Sequence, residues 1–121
     1  MSRSSESPSV LGRRMRARRE ELGWSQEKVG VEIGIDESSS RTRISRYESG
    51  IHEPPGPTAK AIARALKVPL AYLYCEDDGV AALLLALHSL RREERDARVR
   101  QFVRLLAEGG GTQAGPGRMN R

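Results

Sequence analysis

A single cysteine, Cys75, in 121 residues excludes an internal disulfide and, with no second thiol, a zinc cluster. That scarcity suits an intracellular chain. No apolar run approaches the ~20 residues that cross a bilayer, and the N-terminal MSRSSESPS lacks the apolar core of a signal peptide. A soluble cytoplasmic protein with no membrane contact is the expectation. Aromatic residues make up only 4% of the chain, too few to stack unpaired bases, which argues against single-stranded RNA as a ligand. His52 and His88 stand apart from Cys75, and no pattern unites a base, a nucleophile and an oxyanion donor, so the chain reads as non-enzymatic and without cofactor. Glu76, Asp77 and Asp78 have neither metal-ligand spacing nor an EF-hand loop, so no metal is expected.

What the chain has is positive charge. Twenty-one lysines and arginines against sixteen acids leave a net charge of +5, which points to an anionic partner. Strand-like alternation is missing, and the apolar residues recur at helical spacing. Leu11, Met15 and Leu22 stripe a first helix whose arginines form a basic outer face, ended by Gly23. Ser25 caps a second, with Val29 and Ile33 inward and Gly30 between them leaving room for another helix. Gly34 ends it, and Ile44 and Tyr47 mark the inner side of a third, closed by Gly50. After the proline-rich 51–57, Thr58 caps a helix bearing Ala59, Ile62, Ala63 and Leu66, and Pro69 opens a short fifth with Leu70 and Leu73 inward.

This order of elements resembles the phage-repressor-like (Cro/xenobiotic-response-element) helix-turn-helix family over about 10–74. The residues that carry the resemblance are Ser25-Gln26-Glu27, Gly34, and Ile44-Ser45-Arg46-Tyr47-Glu48 with Gly50. It implies an all-α fold, a five-helix lambda-repressor-like bundle, and a regulator of transcription, by base rate a repressor, that binds a palindromic double-stranded DNA operator as a homodimer. By motif position, Ser40, Arg41, Thr42 and Arg46 would face bases, Ser25, Gln26, Arg43 and Ser45 would meet phosphates, and Arg19 would pair with Glu48. Arginine suits this work because its guanidinium grips guanine O6 and N7 through two hydrogen bonds. One departure lies between Gly34 and Ile44, which are separated by about four residues more than is usual, roughly one helical turn. Either the turn is longer and Ser40 caps the third helix, or that helix begins near Asp36. The second choice would bring Asp36 and Glu37 toward DNA phosphates, so the longer turn is preferred.

Four regions are expected: a disordered tail at 1–9, the DNA-binding domain at 10–78, a helical extension at 79–108 and a disordered tail at 109–121. The extension carries two apolar stripes, Leu83, Leu84, Leu87 and Leu90, then Val99, Phe102, Val103 and Leu106. They exceed what one small domain shields, which points to dimerisation. The rival is an antitoxin-like autorepressor, or an interaction module, that holds a protein partner through these helices.

Overall fold

The computed structural model describes residues 9–114, with side chains through Gly109. Among them are seven helices and no strand: α1 (Val10–Leu22), α2 (Gln26–Glu32), α3 (Glu37–Ser49), α4 (Gly56–Leu66), α5 (Leu70–Tyr74), α6 (Asp78–His88) and α7 (Arg92–Ala114). They divide into two compact units, the first ending at His88 and the second starting at Ser89. The boundary expected at 78/79 therefore falls ten residues early, because α6 joins the first unit through buried Ala81 and partly buried Leu85.

In the first unit the helices start where the sequence offers caps. Ser9 and Ser25 each accept a backbone N–H three residues on, from Gly12 and Lys28, both at 3.0 Å. Helices α1 and α3 are capped by Gly23 and Gly50, and Gly34 follows Ile33, the C-cap of α2; all three glycines have positive φ, where a side chain would be strained. Helix α4 begins earlier than expected, at Gly56 with Pro55 in the capping position, so Thr58 lies inside it and caps nothing.

Met15, Val29, Ile44, Ile62, Leu66 and Leu73 have no appreciable exposure and form the centre of the core. Each such side chain contributes about 1.5–3 kcal/mol relative to an exposed one. In α5 the second inward residue is Tyr72, with Leu70 only partly buried. Its ring lies beneath the Arg14 guanidinium, 5.8 Å from the centroid, and burial raises the phenol pKa above its ordinary value.

The basic outer face expected on α1 is only half present. Arg14 is buried and donates to the carbonyls of Cys75 (2.9 Å) and Glu76 (3.2 Å), with Asp78 at 3.0 Å. Arg18 donates to the Leu66 carbonyl at 2.9 Å. Both satisfy carbonyls at helix C-termini that the helices themselves leave unpaired. Gly12 lets α1 approach α3, because a Cβ there would lie 2.2 Å from the Glu48 carbonyl oxygen.

The second unit is the connection from Ser89 and the long helix α7. Residues 109–114, expected as tail, continue this helix, since an established helix extends at lower cost than a new one nucleates. Residues 1–8 and 115–121, the rest of the two expected tails, lie outside the described residues.

Candidate nucleic-acid interface

Helices α2 and α3 form the best-packed pair of the first unit, and one contact explains their spacing. Gly30 faces Ser40, and a Cβ on Gly30 would stand 2.4 Å from the Ser40 Cβ. Ser40 is fully buried, and its hydroxyl lies 3.1 and 3.0 Å from the carbonyls of Ile35 and Asp36. It cannot touch DNA, which removes it from the expected base contacts. The preferred longer turn is also corrected. Helix α3 starts at Glu37 with Asp36 as N-cap, so the extra residues lengthen the helix.

Two hydrogen bonds from Ser38 to the Asp36 carboxylate, one from the hydroxyl and one from the backbone N–H, hold its pKa below the usual carboxylate range. The resulting anion suits the positive end of α3. A small hydroxylated residue at Ser40 then fits against Gly30 while bonding back to the preceding turn.

A buried network sets the angle at the other end of α3. Glu48, 6% exposed, receives Arg19 through Nε (2.6 Å) and Nη2 (3.1 Å). Arg19 Nη1 reaches the Trp24 carbonyl at 2.9 Å. The hydrogen bond to Glu48 raises the Arg19 pKa further above its ordinary value, burial opposes this, and the Glu48 charge adds to the rise. Gln26 joins the same carboxylate, Nε2 to Oε1 at 3.0 Å. The expected pairing of Arg19 with Glu48 is thus present, and the amide of Gln26 is part of it.

Helical spacing of 100° per residue sorts the remaining α3 side chains. Ile44 points inward, so Thr42 and Arg46 point outward, each about 160° from it. Ser39 lies beside them. Arg43 flanks this strip on one side, and Arg41 and Ser45 flank it on the other; all are exposed. Ser38, Ser39, Thr42, Arg43 and Arg46 line a concavity of about 600 Å³ with His52 and Glu53 of the following loop. Ser38, Ser39, His52 and Glu53 line it without being among the expected contacts. Ser39 gave a signal, since it stands three before Thr42; His52 gave none, because it joins by the loop's return.

Residues 15–73 match the helix-turn-helix family. A solved structure, that of the transcriptional regulator BswR, superposes with a TM-score of 0.73 at 39% identity, over 80% of this chain and 96% of that one. This chain belongs to the phage-repressor-like helix-turn-helix family of transcriptional regulators.

Two curated relatives carry the same description. An uncharacterised HTH-type transcriptional regulator of Sinorhizobium medicae is 33% identical over 69 residues, 57% of this chain and 47% of the relative. The uncharacterised HTH-type transcriptional regulator y4wC of Sinorhizobium fredii is 32% identical over 87 residues, 72% of this chain and 52% of the relative. The chain spans about half the length of the curated relatives it matches. Within the matched helix-turn-helix, α2 and α3 are the two helices on either side of the turn. Among the described residues no group of His, Cys, Asp and Glu could hold a metal ion, and no helix is long and apolar enough to cross a membrane.

Proposed function

We propose that this protein is a dimeric, sequence-specific repressor that occupies a palindromic double-stranded DNA operator. The observation that carries the reading is the strip on α3, where two arginines and three hydroxyls share one exposed concavity outside the core. Thr42 and Arg46 read base edges, joined by Ser38 and Ser39 from the added turn. Arg41 reaches the groove from the flank. Ser25, Gln26 and Ser45 meet phosphates on the side of α2, and Arg43 meets those on the side of the loop. Phosphate contacts fix the register, and base contacts choose the sequence.

Dimerisation rests on apolar surface that each unit leaves unused. In α6 the bundle takes Ala81 and Leu85, while Leu83 is exposed and Leu84 and Leu87 are half-buried. Leu90 falls in the connection. On α7, Val99, Phe102, Val103 and Leu106 recur on one side and are all exposed, Leu106 by 70%. A dimer would present two recognition helices to successive major grooves about 34 Å apart.

Selection of bound DNA from a random pool tests this reading. The expected result is one palindromic site with half-sites a helical turn apart. Arg46→Ala should lose about 1–3 kcal/mol on that site and little on random DNA. Equal losses on both would refute base readout. Sedimentation of Val103→Glu should give monomers where the native chain gives dimers. A native monomer would instead assign that face to a different protein.

A further inference from the structure

The exposed side of α4 carries Lys60 and Arg64, four residues apart, and Lys67 caps the end of the helix; all three are exposed and border one groove, forming a ridge. Among the described residues none of the three side chains has an ion pair or hydrogen bond. On α1, Arg14, Arg18 and Arg19 are used differently, on helix ends and on Glu48, and Arg16 pairs with Glu20.

Two open grooves flank the ridge, and Arg64 and Lys67 border both. One is floored by Trp24, Ile33, Ala61 and Ala65, the other by Ala63, Val68, Pro69 and Leu70. The carboxylate at the edge of the first, Glu32, is already held by Lys28 at 3.6 Å. His88 borders the second. Neither groove shares a residue with the concavity on α3.

Lys67 adds an independent observation. It stands in the left-handed region at φ 61°, and it is the one residue other than glycine with positive φ among those described. Helices α1 and α3 carry glycine at the equivalent C-cap, Gly23 and Gly50, which is the unstrained choice. Helix α4 instead carries strain at a residue whose cation sits between two apolar grooves. The backbone N–H of Lys67 closes the helix on the carbonyls of Ala63 and Arg64, a task that glycine does without strain, and strained residues of this kind gather at functional sites.

We propose that the α4 ridge and its two grooves dock an acidic segment of a protein partner. Carboxylates of that segment pair with Lys60, Arg64 and Lys67, and its apolar side chains fill the grooves on either side. Three unpaired cations select acids, and the apolar floors select a segment that also carries leucine-like side chains over one that is merely charged. This surface would let the bound regulator recruit or be recruited by that partner while α3 is engaged.

The test uses the full chain and a short labelled peptide of leucine and glutamate, followed by fluorescence anisotropy at low salt. Binding is expected, with weaker signals from a glutamate–glutamine peptide and none from a leucine–arginine peptide. Lys60→Ala and Arg64→Ala should each weaken it about two- to fivefold, the range of exposed ion pairs. Lys67→Gly is the decisive variant, because glycine relieves the strain. It should melt no lower than the native protein and yet bind the peptide more weakly, with affinity for the selected DNA site unchanged. Native affinity of Lys67→Gly for the peptide would overturn the proposal. Equal loss of DNA affinity in the three variants would overturn it too, by assigning the ridge to DNA phosphates. Undiminished binding of the glutamate–glutamine peptide would remove the role of the grooves.

Discussion

Gly30→Ala tests the contact that fixes α2 on α3. The added Cβ would stand 2.4 Å from the Ser40 Cβ, 2.5 Å from its Oγ and 2.8 Å from its Cα. Carbon atoms pack at about 3.5–4.0 Å, so the helices must part by roughly 1 Å. Alanine's better helix propensity returns about 0.5–1 kcal/mol. Forcing a methyl group into a filled contact costs about 1–3 kcal/mol, and here the cost sits in the upper part of the range because Cα and Cβ cannot swing aside. The net loss is about 1–2 kcal/mol, or roughly 5–15 °C in melting midpoint for a unit of this size. Urea unfolding should show a lower midpoint with an unchanged slope. Operator affinity should also fall, since Gln26 on α2 and Arg46 on α3 lose their mutual register. Adding Ser40→Gly should recover part of the loss, because the clashing Cβ is gone. A Gly30→Ala midpoint at or above the native value would refute the close approach and the helix spacing drawn from it.

Two further predictions concern the ends of α3. Glu48→Ala leaves Arg19, whose side chain is 13% exposed, without its carboxylate, and frees Gln26. Breaking a buried pair costs about 3–5 kcal/mol; with Arg19 partly solvated, about 2–3 kcal/mol is expected. Most of that cost should already be present in Arg19→Ala, so a double-mutant cycle by urea unfolding that gave additive losses would count against a shared network. For Asp36 the folded pKa lies below the unfolded one, so its capping contribution is complete above the unfolded value near ~3.9 and is lost as pH falls through the lower folded value. The stability gap between native protein and Asp36→Ala should therefore hold steady from neutral pH down to that region and close below it. A gap that instead widened on acidification would contradict the assignment of Asp36 as an ionised cap.

Local signals carried most of the element order. Ser9, Ser25, Gly23, Gly34 and Gly50 act within a few residues of themselves, so the starts and stops they encode are visible in the chain. The inward stripes of α1, α3 and α4 follow from periodicity alone. The pairing of Arg19 with Glu48 was legible only through the family motif, since the two lie 29 residues apart.

Tertiary contact decided the rest, and it did so where two physical preferences competed. Charge repulsion from Asp36 and Glu37 argued for a long turn, but the seat that Gly30 offers Ser40 and the cap that Asp36 provides outweighed it, and α3 gained a turn. Arg14 and Arg18 carry the composition of a solvated face, yet unpaired carbonyls at distant helix ends drew them inward. Around α6 the stripe read from the sequence was Leu83, Leu84, Leu87 and Leu90, whereas packing took Ala81 and Leu85 into the core. Capping residues and apolar spacing thus determined the helices and the turns between them, because both signals are local, and the resemblance of the motif identified them as a helix-turn-helix. Which side chains that motif leaves free for DNA was decided by contacts between residues far apart in sequence.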